Sequence, residues 1–134
     1  MEMQIEPRTG GCLCGAVRYT VNGPLRAITA CHCTQCRKAT GSYYTSTSAA
    51  DTHLAIAPSA ALKWYRSSDF ARRGFCATCG SNLFWKADGS AKTAITAGTL
   101  DGDTRLSIAK HIFCADKGDY YEIAGDAAQF PAGG

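Results

Sequence analysis

The sequence predicts a mainly β domain, and three observations carry that prediction. Short segments alternate apolar and polar residues, turn-forming Asn, Asp, Gly and Pro separate them, and only one stretch suits a helix. Val17-Arg18-Tyr19-Thr20-Val21 alternates cleanly and ends at Asn22-Gly23-Pro24. Ile28-Thr29-Ala30 reads as an extended piece. Tyr43-Tyr44-Thr45-Ser46-Thr47, Leu62-Lys63-Trp64-Tyr65 and Asn82-Leu83-Phe84-Trp85 are rich in aromatic and β-branched strand formers. Thr93 to Ala97 and Leu106 to Ala109 alternate again on either side of Asp101-Gly102-Asp103. The helical turn follows Cys33, running through Gln35 to Ala39, and Gly41 stops it. Residues 1–8 and 124–134 read as surface tails of one domain that spans 1–134.

Composition bounds the function classes. The chain has 134 residues, 46% hydrophobic and 19% charged, which suits one globular domain. No apolar run approaches the ~18 residues of a membrane span. The start, Met1 to Arg8, has no hydrophobic stretch, so no export signal is expected and the cytoplasm is the expected compartment. The formal charge of +3 counts every thiol as neutral. Seven thiolates and two zinc ions would bring it to about zero, so the basic balance does not argue for nucleic acid. Lys and Arg are also scattered rather than blocked, against a nucleic-acid face.

Eight cysteines carry the chemistry. They fall as Cys12 and Cys14; Cys31, Cys33 and Cys36; Cys76 and Cys79; and Cys114 alone. In a reducing compartment such tight clusters point to metal ligation rather than disulfides. Gly11-Cys12-Leu13-Cys14-Gly15 and Phe75-Cys76-Ala77-Thr78-Cys79-Gly80 each end in Cys-Gly, where glycine lets the backbone turn its amides toward sulfur. Together they supply the four thiolates of a closed structural zinc site. A redox pair at Cys76 and Cys79 is the alternative, but that motif should precede a helix and here a strand follows.

Cys31-His32-Cys33-Thr34-Gln35-Cys36-Arg37-Lys38 offers three thiolates from one turn, the pattern of a zinc with an exchangeable fourth position. Cys114 or a histidine, His111 foremost, would instead close it as a second structural site. Spacing alone also allows Cys12 and Cys14 to join the central turn. His32, between two ligands, should point away from the ion, and a satisfied strand histidine is the simpler reading of His111. Arg37-Lys38 would suit a substrate carboxylate, and Arg72-Arg73 carries the same reading; solvated surface charge is the alternative for both pairs. Cys114 reads as a small buried hydrophobe and His53 as a surface residue.

The ordered motifs at 11–19, 31–42 and 75–83, with His111-Ile112-Phe113 and Gln129-Phe130-Pro131, resemble the glutathione-dependent formaldehyde-activating family over nearly the whole chain. The resemblance implies an Mss4-like β-tent, two antiparallel sheets stabilised by zinc. It implies that Cys12, Cys14, Cys76 and Cys79 hold a structural zinc. Cys31, Cys33 and Cys36 would hold a labile, catalytic one. It further implies a carbon–sulfur lyase acting on a small thiol such as glutathione, with no nucleic-acid or membrane partner. Cys114 departs from the family pattern, which has an aliphatic residue there. The competing reading is a non-enzymatic zinc module that binds a partner or carries metal.

Overall fold

The computed structural model describes residues 6–134. Its strands are β1 (Arg8–Gly11), β2 (Arg18–Val21), β3 (Ile28–Cys31), β4 (Tyr44–Ala50), β5 (Leu54–Ile56), β6 (Leu62–Arg66), β7 (Ala71–Cys76), β8 (Asn82–Ala87), β9 (Lys92–Thr96), β10 (Ile108–Ile112) and β11 (Ala128–Gln129). One α-helix, α1 (Thr34–Thr40), lies among them. The fold is mainly β with two sheets, as the sequence predicts. Backbone contacts divide the described residues into two compact units: 6–26 with 47–104, and 27–46 with 105–134. β4 begins in the second and ends in the first.

In the first unit, β2 pairs antiparallel with both β1 and β5. β6, β7, β8 and β9 form successive antiparallel pairs. The core is apolar: Val17, Val21, Leu83 and Ile95 are fully buried, with Tyr19 and Phe84 almost so. Tyr19 meets Phe84 edge-on at 5.5 Å between ring centres, and Trp64 stacks on Phe84. Gly74 lies opposite both Trp64 and Phe84 in the sheet, and a Cβ there would press on both rings at 3.1 Å.

In the second unit, β3 pairs antiparallel with β4, whereas β10 runs parallel to β3 and to β11. The expectation of purely antiparallel sheets is corrected here. The long return from β4 brings β10 in beside β3 in the same sense, as a crossover permits. The core of this unit is more polar, with His32 and His111 buried beside Ala30, Tyr44 and Cys36.

Several sequence expectations shift. The strand expected at Leu106–Ala109 lies at Ile108–Ile112. β7 includes Arg72 and Arg73: the Arg72 guanidinium covers Trp64 at 4.5 Å, and Arg73 is buried. Arg72 is thus an exposed cation lying over an aromatic ring, whereas Arg73 is not at the surface. His53 is half-buried rather than superficial, its ring so close to Gly23 that a Cβ there would lie 2.2 Å from Nδ1. Cys114 is half-buried, in a 3₁₀ turn after β10. Residues 1–5 of the expected N-terminal tail lie outside the described residues, and Arg8 opens β1. The closing stretch 124–134 is mostly exposed and contributes β11.

Candidate metal centres

In the first unit the turn after β1 and the end of β7 bring four thiols together. The Sγ atoms of Cys12, Cys14, Cys76 and Cys79 lie within 4.8 Å of one another. Cys12 and Cys14 are 3.7 Å apart at sulfur, and so are Cys14 and Cys76. A disulfide needs ~2.05 Å, and all eight cysteines are free. Tetrahedral zinc with Zn–S near 2.3 Å sets its sulfurs about 3.8 Å apart, so the spacing and the donor set fit that ion.

The backbone explains how two separate segments make matching turns. Gly15 N–H donates to the Cys12 carbonyl and Gly80 N–H to the Cys76 carbonyl, and both glycines have positive φ, 83° and 82°. These closures aim further amides at sulfur: Val17 N–H at Cys12 (3.2 Å) and Cys79 N–H at Cys76 (3.4 Å). Ser81 ties the turns together. Its hydroxyl accepts from Leu13 N–H at 3.0 Å and lies 3.2 Å from Cys79 Sγ. The Ser81 hydroxyl, aided by backbone amides, holds the Cys79 thiol down at about 5. The Cys-Gly-Ser order was readable, but no spacing rule assigns that role to the serine.

In the second unit three thiols converge, those of Cys31, Cys33 and Cys36, again with Sγ atoms within 4.8 Å. Cys31 ends β3 and Cys33 caps α1, its sulfur accepting from Cys36 N–H at 3.3 Å. Cys36, one helical step on, is buried. Gly41 closes the helix with φ 92° and donates to the Arg37 carbonyl at 2.7 Å. The adjacent Cys36 thiol and burial both push the Cys31 thiol well above its ordinary value. Thiolates crowded this way repel one another, and a divalent cation reverses the balance. Among the described residues neither Cys114 nor His111 joins the group.

His32 lies outside the thiol group and is fully buried. Its Nδ1 lies 2.7 Å from the Tyr121 hydroxyl and its Nε2 lies 2.9 Å from His111 Nδ1. Burial, with His111 and Lys117 nearby, keeps the His32 imidazole below its ordinary value, and burial holds the Tyr121 phenol above its own. Tyr43 packs on His32 at 4.6 Å between ring centres. Neither tyrosine was singled out from the sequence; the pair Tyr120-Tyr121 in a polar loop was the available signal. Arg37, on α1 directly after Cys36, has its Nε buried with no partner among the described residues. Lys38 is exposed.

Comparison with known proteins agrees with this architecture. A family model described as glutathione-dependent formaldehyde-activating enzyme matches residues 7–116. A protein of Schizosaccharomyces pombe named as an uncharacterized lyase is 27% identical over 122 residues, 90% of this chain and 88% of that protein. The crystal structure of a Rhodobacter sphaeroides protein superposes with a TM-score of 0.60 at 25% identity, covering 72% of this chain and 91% of the other.

Proposed function

Because this chain belongs to the glutathione-dependent formaldehyde-activating enzyme family, we propose that it is a zinc-dependent carbon–sulfur lyase. Its substrate is a glutathione–formaldehyde adduct or a related small thiol adduct. The lyase name of the fission-yeast relative supports the reaction class. The observation that carries the reading is the contrast between the two thiol groups. Four cysteines saturate a tetrahedral ion, whereas Cys31, Cys33 and Cys36 leave a position over.

In this reading Cys12, Cys14, Cys76 and Cys79 hold a structural zinc, and Cys31, Cys33 and Cys36 are the catalytic residues around a labile one. When bound there, zinc lowers the pKa of a thiol or polarises an aldehyde oxygen. The reaction forms or breaks one carbon–sulfur bond. In the direction of adduct formation the thiol's proton ends on the new hydroxymethyl oxygen, cleavage returns it to sulfur, and no electrons are exchanged with a third party. Arg37, next to Cys36 in the chain, offers an unpartnered Nε–H, a donor suited to a substrate carboxylate. His32, outside the thiol group and held on both nitrogens, fixes the path of the chain between Cys31 and Cys33. The expected partner is a small thiol, not nucleic acid, and the expected compartment is the cytoplasm. No helix among the described residues is long and apolar enough to cross a membrane.

The test is to mix zinc-loaded protein with glutathione and ¹³C-formaldehyde and follow the adduct by exchange NMR. Accelerated exchange, lost in Cys36→Ser and requiring about tenfold more glutathione in Arg37→Gln, is the expected result. Protein that holds both ions yet leaves exchange at the background rate with glutathione and simpler thiols would replace the lyase with a metal-carrying or interaction module.

A further inference from the structure

The second unit holds a cavity of about 310 Å³ that the lyase reading leaves unused. His32, Tyr43 and His111 line one side of it, and residues 122–127 contribute the rest with Ile108. Its size is at the low end of small-molecule sites.

Two features select a ligand. His111 is only 6% exposed, and its hydrogen bond among the described residues runs through Nδ1 to His32. Nε2 therefore has no protein partner among those residues, on a ring that lines the cavity. A ligand N–H in the cavity can supply that bond. The second feature is charge. Glu122 and Asp126 both line the cavity, and no Lys or Arg does. Ile108 and Ile123 add apolar surface. Such a lining repels carboxylates, including those of glutathione.

We propose that this cavity is a binding site for a small organic ammonium ion with a compact apolar body. Glu122 and Asp126 balance its charge, His111 Nε2 accepts one of its N–H groups, and the isoleucines cover its carbon skeleton. Acceptance at Nε2 has a consequence along the hydrogen-bond chain. His111 then carries its proton on Nδ1 and donates to His32 Nε2, and His32 donates from Nδ1 to the Tyr121 oxygen. Ligand binding thus fixes the tautomer of both imidazoles.

Benzylammonium is a suitable probe, with benzoate and benzyl alcohol as matched anion and neutral controls. Each is titrated into the full ¹⁵N-labelled chain and followed by NMR and calorimetry. Benzylammonium should saturate, shift the resonances of Ile108, His111 and 122–127, and move the imidazole ¹⁵N signals toward the tautomers given above. Glu122→Gln with Asp126→Asn, both exposed positions, should raise Kd about three- to tenfold. His111→Asn, which leaves an amide where Nδ1 faced His32, should also raise Kd. Benzoate binding as tightly as benzylammonium would overturn the proposal. So would shifts confined to other residues, an unchanged Kd in the double variant, or no saturation by about 10 mM. Activity is not a readout, so this result and the fate of the lyase reading are independent.

Discussion

Cys14 Sγ sits 3.7 Å from Cys76 Sγ although 62 positions separate them in the chain. Those two thiols tie the turn after β1 to the end of β7. An ion shared by the four cysteines contributes on the order of 10 kcal/mol, comparable with the whole stability of a small domain. Cys79→Ser, or equally Cys12→Ser, should therefore lose one zinc equivalent and unfold the first unit at ordinary temperature. Metal content and a thermal melt on the purified variant check this. A Cys79→Ser protein with full metal and an unchanged melting temperature would refute the assignment.

The three-cysteine group should behave differently. A chelator should remove about one equivalent of zinc first, from Cys31, Cys33 and Cys36, with the fold largely kept. Cys36→Ser should lose that equivalent and little stability. Cys114→Ala is the control, since Cys114 lies outside the group. It should leave the labile ion in place, whereas an emptied site would mean that a fourth thiolate closes it. Metal release read against far-UV circular dichroism separates these outcomes.

Much of this was legible because cysteine spacing is local. Cys-X-Cys, Cys-X-X-Cys and the glycine that follows are set by backbone geometry within a few residues, so both groups could be read before folding. α1 was equally legible from Cys33 to Gly41. What was hidden depends on long-range pairing. β7 reads as Ala-Arg-Arg-Gly-Phe-Cys, a poor strand pattern, and becomes one because β6 and β8 flank it and Arg72 lies over Trp64. The parallel partnership of β3 and β10 links residues about eighty positions apart and leaves no trace in either segment. His111 reads as a strand histidine and lies buried in β10, but its contact with the buried His32 and the extension to Tyr121 follow only from that pairing.

Acid should weaken one ion pair in the first unit with a defined sign. Asp51 accepts from Lys86 Nζ and, at 2.7 Å, from Thr93 Oγ1. The Lys86 ammonium first, then the Thr93 hydroxyl, hold the Asp51 carboxyl below its ordinary value. A depressed folded-state pKa means that the stabilisation is complete above the unfolded value of ~3.9 and disappears as pH falls through the lower folded value. Wild type should thus exceed Asp51→Asn in urea midpoint at pH 7, and the gap should close below about pH 4. Both carboxylate and solvent are in contact, so ~1 M salt should narrow the gap as well. A gap that persists unchanged at pH 2 would show that Asp51 acts through something other than its charge.

The last expectation concerns Gly10, which faces Tyr19 in the β1–β2 ladder. Tyr19 is 2% exposed, and its ring lies across Gly10 so that its hydroxyl meets Thr99 Oγ1 at 2.8 Å. A Cβ at position 10 would fall 2.2 Å from the Tyr19 hydroxyl oxygen and 2.5 Å from the Thr99 carbonyl. Glycine inside a strand often marks such an approach of a neighbour onto bare backbone. One methyl group therefore overpacks a core with no room to yield, and Gly10→Ala should cost about 1–3 kcal/mol. Tyr19→Phe in the same background removes the nearest atom but not the Thr99 carbonyl, so it should recover part of the loss rather than all of it. Chemical denaturation of the two variants and the wild type measures both quantities. Full stability in Gly10→Ala would mean that the Tyr19 ring is free to swing away from β1.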